Sequence, residues 1–253
     1  MPDAAHATIE QRLAILRSRM ATALIGQHHK AQEVTLVAVS KGQTTEAIRH
    51  AYALGVRDFG ESYAQEFLKK ADELSDLKEI RWHFIGHVQS NKIKKIVPFN
   101  PVVHTLDRTS LLNELVQFIS PAAPLRIMIQ LQIDPTDVSK FGCTLAEADE
   151  LCQRVAQTPG LLWDGFMGIG PANATPERLK WMYDEFNSIA RHLWERYSRR
   201  DPSRKLPDMK LSLGMSDDLE IAIRSGSNLV RVGSALFGPR PPKNVHKQTL
   251  ASE

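Results

Sequence analysis

The sequence is poor in cysteine. Only Cys143 and Cys152 occur among 253 residues, with no CxxC spacing. That argues against a disulfide framework or a zinc site and fits a reducing cytoplasm. An excess of one charge is also lacking: 32 Lys and Arg against 29 Asp and Glu leave +3, too little for a dedicated nucleic-acid binder. No apolar run approaches the roughly 18 residues of a membrane helix. Glu10, Arg12 and Arg17 interrupt any signal-peptide core at the N-terminus. With 14 Gly and 14 Pro, collagen and low-complexity chains are excluded. There is no Walker loop, HExxH or GxSxG. No Gly-x-Gly-x-x-Gly follows the first strand, and Gly168-Ile169-Gly170 lacks its third glycine because position 173 is Asn.

What remains is an ordinary soluble composition, 42% hydrophobic and 24% charged. Its length suits a single barrel of alternating strands and helices, which runs to about 250 residues. Ile9, Leu13, Leu16 and Met20 share one face of a first helix. A regular alternation follows. Strands are predicted at 34–39, near 57–59, at 81–85, 102–106, 125–133, 161–169, 210–213 and 229–232. Helices are predicted between them at 44–54, 64–74, 91–96, 110–119, 144–156, 175–197 and 216–224. Thr144 with Glu147 forms a capping box, Pro176 opens the long helix, and Gly55 closes an earlier one. Residues 199–207 read as a polar loop, and Trp181, Phe186 and Trp194 as packing for the long helix. Eight strands with interleaved helices predict a parallel α/β sheet closed into a (β/α)8 TIM barrel.

In such barrels chemistry sits at the C-terminal strand ends. Lys41 follows the first strand. Its ordinary reading is a cation snorkelling to solvent; its chemical reading is an amine that forms a Schiff base with an aldehyde. Arg231 interrupts the apolar eighth strand, where it is either paired with a carboxylate such as Asp217 or Glu220 or in contact with a ligand. Gly214-Met215-Ser216 and Gly233-Ser234 follow strands seven and eight, where small residues let backbone N–H groups approach a phosphate. Ser216 also reads as a helix N-cap, which is compatible with anion binding if Asp217 and Asp218 point away. A lysine for a carbonyl, an anion cradle and an arginine for a ring together describe pyridoxal 5'-phosphate. His83 and His87 resemble a metal pair but lie roughly 13 Å apart on an extended strand unless Gly86 folds the chain back. Two basic clusters, Lys92, Lys94, Lys95 and Arg199, Arg200, Arg204, Lys205, read as solvated faces.

Six blocks carry a resemblance: Leu36 to Lys41 (LVAVSK), Phe59 to Tyr63 (FGESY), Trp82 to Lys92 (WHFIGHVQSNK), Ser139 to Gly142 (SKFG), Leu211 to Asp218 (LSLGMSDD) and Val230 to Gly238 (VRVGSALFG). In this order they closely resemble the pyridoxal phosphate homeostasis protein family, which is alanine-racemase-like. The resemblance implies a single barrel of that type with an extra N-terminal helix: residues 1–30 as a helical extension, 31–240 as the cofactor-binding barrel and 241–253 as a flexible tail. It implies that Lys41 holds pyridoxal phosphate as a Schiff base and that Arg231 faces the pyridine nitrogen. Ser62, Met215, Ser216, Gly233 and Ser234 would complete the cofactor site. Ser62 stands where Asn is usual and reaches less far. Gly42-Gln43-Thr44 lacks the second lysine and the proline often found there, and Lys140 matches a family lysine.

The implied function is a non-enzymatic, cytoplasmic, monomeric carrier that buffers or delivers the cofactor and affects vitamin B6 and amino-acid balance. Apo pyridoxal phosphate enzymes are its expected partners, with no nucleic acid, membrane or metal. The alternatives are an amino-acid racemase or lyase of the same fold, and a barrel enzyme acting on a sugar phosphate through Lys41.

Overall fold

The computed structural model describes residues 7–25, 34–137, 140–198 and 208–239. Helix α1 (Ile9–Ala23) opens with a capping box between Thr8 and Gln11 and buries Leu13, Leu16 and Met20, the face read from the sequence. Then come β1 (Thr35–Val39), α2 (Thr45–Ala53), β2 (Asp58–Glu61), α3 (Ala64–Glu73), β3 (Arg81–Phe84), α4 (Ile93–Ile96) and β4 (Val102–Leu106). The second half holds α5 (Thr109–Leu115), β5 (Leu125–Gln130), α6 (Leu145–Gln157), β6 (Leu161–Met167), α7 (Pro176–Ser198), β7 (Lys210–Ser212), α8 (Leu219–Arg224), β8 (Leu229–Val232) and α9 (Ser234–Phe237). The strands form one closed parallel barrel in sequence order, with β8 pairing back to β1.

Strand alternation divides the core in two. Val37, Met128, Met167 and Leu229 pack together inside the barrel. Ala38, Phe59, Phe84, Ile127, Phe166 and Val230 join the larger cluster between barrel and helices. Closure leaves no free sheet edge, so most strand residues are buried; β1, β5, β6 and β8 read as short apolar runs, whereas β2 carries Asp58 and Glu61.

Some expectations need correction. The fifth strand stops at Gln130 because Leu131 and Gln132 turn to pair with Cys143. The predicted helix 91–96 is one α-turn between 3-10 turns at Ser90–Lys92 and Val97–Phe99. The helix after β7 starts at Leu219, so Ser216 lies in the preceding turn and is not its N-cap. Trp181 does not pack on the barrel: it is 59% exposed, whereas Phe186 is buried and Trp194 meets Trp163 at 4.7 Å. Both cysteines are buried, and burial pushes the Cys143 thiol up to about 12, which makes it inert. The 199–207 loop with its basic cluster, the 241–253 tail, Ser139 and the junction near residue 30 lie outside the described residues.

Candidate functional site

Lys41 and Arg231 come together through strand register. On β1 the alternation turns Val37 and Val39 inward, where both would touch a side chain at Gly60. The same period of two carries to Lys41, at the C-terminal mouth. Val37 is paired with Arg231 on the neighbouring strand, so the arginine also faces the interior. Arg231 is only 4% exposed. Its Nη1 donates to the Ser212 carbonyl at 2.6 Å and the Ser212 hydroxyl at 2.8 Å, and its Nη2 donates to the Gly168 carbonyl at 3.0 Å. The alternative of an ion pair with Asp217 or Glu220 is therefore wrong: Glu220 is bound by Arg19, and Asp217 is exposed. Burial lowers the Arg231 pKa, with Tyr183 and Asp218 acting against that shift. The group still stays charged at working pH.

Behind Lys41 lies a buried ionic cluster that the sequence did not reveal. Ser40 and Glu61 point outward from β1 and β2, toward α3. Lys70 on α3 reaches the Ser40 carbonyl at 2.6 Å, Glu61 at 2.8 Å and Glu66 at 2.6 Å. Ser40 Oγ donates to Glu61 at 2.7 Å, and the Gly42 N–H donates to Glu66 at 2.6 Å. Backbone groups on both sides of Lys41 are thus held from outside the barrel. Burial raises the Glu61 pKa more than Lys70 and Ser40 lower it, and its Oε2 has no hydrogen-bond partner. The signal was available at helical spacing: Lys70 shares the buried face of α3 with Phe67 and Ala71.

Two turns bring small donors together beside β8. Ser216 Oγ lies 3.4 Å from both Ser234 Oγ and the Ala235 N–H. Gly233 precedes the short α9, and a Cβ there would stand 3.3 Å from the Val39 carbonyl. Gly214 has φ +85, and a Cβ would lie 2.5 Å from that of Ala222, so only glycine fits the turn out of β7. The Asp218 carboxylate is turned to Tyr183 OH and the Met215 N–H, each at 2.5 Å. Arg19 on α1 grips this turn from behind, donating to the Ser216 carbonyl at 3.0 Å and to Glu220 at 2.6 and 2.8 Å. The sequence reading missed that role because nothing local connects residues about two hundred positions apart.

The rim carries Ser62, Tyr63, His87, Phe141 and Met215. Ser62 is half-buried, and its carbonyl would lie 1.9 Å from a Cβ on Gly86, so Gly86 permits the close crossing of two chains. Met215 is 43% exposed. Ser62 and Met215 thus stand at the same mouth, while Lys140 adjoins the exposed Phe141. His83 and His87 diverge. His87 stacks on Phe141 at 4.2 Å, whereas His83 is buried between Asp58 and His104. Among the described residues no cluster of three or more His, Cys, Asp or Glu could hold a metal. A separate cavity of about 540 Å³ lies at the opposite end of the barrel, by Thr35, Trp194, Lys210 and Asn228.

An eight-stranded parallel barrel with a lysine after strand one, an arginine on strand eight and a hydroxyl-lined turn beside it defines a barrel of the alanine-racemase class. The family described as alanine racemase, N-terminal domain, matches residues 17–241. Within that class the chain belongs to the pyridoxal phosphate homeostasis protein family. Proteins of that name from Pseudomonas aeruginosa and Escherichia coli K12 are each 37% identical, covering 92% and 95% of this chain and 96% and 98% of their own. A third, from Schizosaccharomyces pombe, is 35% identical over 94% of this chain and 97% of its own. The structure of PipY from Synechococcus elongatus PCC7942, solved with PLP bound, is similar at a TM-score of 0.77 and 31% identity, covering 91% of this chain and all of PipY. Alanine racemase from E. faecalis shares the fold at a TM-score of 0.66 and 16% identity, over 92% of this chain and 59% of the racemase. The relatives' shared name denotes homeostasis, not an enzymatic reaction. No described helix is long and apolar enough to cross a membrane.

Proposed function

We propose that this protein binds pyridoxal 5'-phosphate at the C-terminal mouth of the barrel and acts as a carrier that buffers the cofactor or passes it to apo enzymes, without catalytic turnover. The observation that carries the reading is Arg231: a buried guanidinium, one strand from Lys41, whose hydrogen bonds run to neutral acceptors. Bound pyridoxal phosphate supplies an aldehyde for a lysine amine and a ring able to draw electron density. Lys41 is the residue assigned to the aldehyde, and the Lys70 cluster sets where its backbone stands. Arg231 is assigned to the ring nitrogen. Ser216, Ser234 and the backbone at Gly233 are assigned to the phosphate, since their donors converge while Asp218 is turned away. Ser62 and Met215 border the same mouth.

Arg231 is compatible with a carrier, although a racemase of the same fold can work with such an arginine. A group that only donates, placed at the ring nitrogen, opposes protonation there and weakens the ring as an electron sink. The names of the relatives agree. The proposed chain organisation is the barrel of residues 31–240 with α1 as an added helix, working as a monomer in the cytoplasm.

The test is the visible spectrum of purified protein with added pyridoxal phosphate, beside Lys41→Ala. Wild type is expected to show a band that borohydride removes, and Lys41→Ala to lack it. Identical spectra overturn the lysine assignment. Lysine-dependent conversion of an L-amino acid to its D form would overturn the carrier in favour of a racemase.

A further inference from the structure

We propose that His83 and His104 are positioning residues for Arg231, through a one-way hydrogen-bond chain that crosses the barrel interior to Asp58. The role in cofactor binding rests on the assignment of Arg231 above; the chain itself does not. Its links are continuous. Arg231 Nη1 lies 2.8 Å from Ser212 Oγ, and Ser212 Oγ lies 3.1 Å from His104 Nδ1. His104 Nε2 lies 2.8 Å from His83 Nδ1, and His83 Nε2 lies 3.0 Å from Asp58 Oδ1. All five side chains are buried.

The two ends dictate the direction. A guanidinium only donates. Asp58 is a carboxylate that only accepts: burial pushes it up, but hydrogen bonds from His83 and Arg81 prevail and hold it at about 2. The proton between His83 and Asp58 therefore sits on His83 Nε2. In a neutral ring the other nitrogen is bare, so His83 Nδ1 accepts from His104 Nε2. The bare Nδ1 of His104 then accepts from the Ser212 hydroxyl, whose lone pairs face Arg231. Each link holds one proton, with no two protons opposed and no acceptor facing an acceptor.

The reverse order requires a second proton on His83. That would add a cation near Arg231, Lys210, Arg81 and Arg126, with Asp58 and Asp164 as the anions facing the group. Burial first, with the nearby cations Arg231 and Lys210 acting the same way, holds His104 well below the usual histidine range, so it stays neutral. Layers of branched apolar side chains are the usual filling of such a barrel. Here the filling beneath Arg231 is a polar wire that fixes which way the Ser212 hydroxyl points. The hydroxyl is thereby kept as an acceptor for Arg231, and the guanidinium is anchored on neutral oxygens, with no carboxylate hydrogen-bonded to it among the described residues.

Long-range proton–nitrogen spectra of the full chain, labelled with 15N-histidine and free of cofactor, report which ring nitrogen carries the proton. His83 and His104 are both expected as Nε2–H tautomers. Ser212→Ala removes the donor to His104 Nδ1; the single tautomer of His104 should be lost, and the His83 signals should move although His83 does not touch Ser212. Pyridoxal phosphate affinity should weaken about tenfold in that variant. A proton on Nδ1 of either ring in wild type, or His83 signals unchanged by Ser212→Ala, overturns the chain. If the cofactor assignment is the part that fails, wild type will not bind pyridoxal phosphate while both tautomers remain as stated. Should Ser212→Ala not fold, the wild-type tautomers still decide.

Discussion

Strand β2 sends one carboxylate to each side of the barrel wall, and the two meet opposite fates. Asp58 points inward, to His83 and Arg81, and is held at about 2. Glu61, three residues on, points outward to Ser40 and Lys70, and its pKa is raised. The outer network is dense in charge: a lysine and two glutamates within 2.8 Å contacts, with Lys70 and Glu61 almost fully buried. The inner network places two imidazole rings between its cation and its anion. Burial costs a charge several kcal/mol unless partners replace water. Asp58 keeps two partners on its two oxygens. Glu61 leaves one oxygen bare, and so burial prevails there. The outer network fixes backbone beside Lys41, and the inner one fixes a side chain beneath it.

The largest effect is expected at Lys70. Lys70→Met strands two carboxylates behind β1, one of them fully buried. A loss of about 3–5 kcal/mol in unfolding free energy is expected from denaturant titration. Adding Glu61→Gln should recover about 1–2 kcal/mol, because the uncompensated charge goes with it. Cofactor affinity should not recover, since the Ser40 carbonyl still lacks its lysine. A single variant within 1 kcal/mol of wild type would show that the cluster does not hold the turn.

Next in size is the acid limb of stability, where the two networks should act with opposite sign. Asp58 in the folded protein sits at about 2, below its ordinary 3.8. It stabilises the fold above the unfolded value, and that contribution fades as pH falls through about 2. Screened at its partly open edge, this is about 1–2 kcal/mol. Glu61 is raised, so acid relieves its burial cost and the folded state takes up that proton first. Asp58→Asn should flatten the acid limb, and Glu61→Gln should steepen it. Parallel limbs in the two variants would erase the distinction between the networks.

Which parts of this were legible follows from how local each signal is. The barrel could be read because closure buries most strand positions, leaving short, mostly apolar runs of three to seven residues between amphipathic helices. Lys41 stood out because it follows such a run, and Arg231 because it interrupts one. Their surroundings did not. Whether Arg231 meets a carboxylate depends on which groups β7 and the turn after β6 present to it, here backbone carbonyls, a matter of register. His83 and His104 were visible as residues, but a polar wire requires knowing that both face inward and that β4 looks across at β7. Trp181 was misread because the long α7 shows only one face to the barrel, and the spacing that buries Met182 and Phe186 leaves Trp181 outside.

The smallest expected effect sharpens the comparison from a third side. Arg19 and Glu220 are each about 30% exposed, so their pair is worth little to stability, about 0.5–1 kcal/mol. Yet Arg19 also donates to the Ser216 carbonyl, and Ser216 is one of the donors assigned to the phosphate. Arg19→Ala should therefore weaken phosphate-bearing ligands more than its stability loss suggests. A threefold to fivefold rise in Kd for pyridoxal phosphate is expected, against no change for pyridoxal, which lacks the phosphate (about 0.6–1 kcal/mol). Equal losses for both ligands would place the effect in the barrel as a whole. A selective loss would mean that the extra N-terminal helix belongs to the site, holding the anion turn from behind as Lys70 holds the lysine turn.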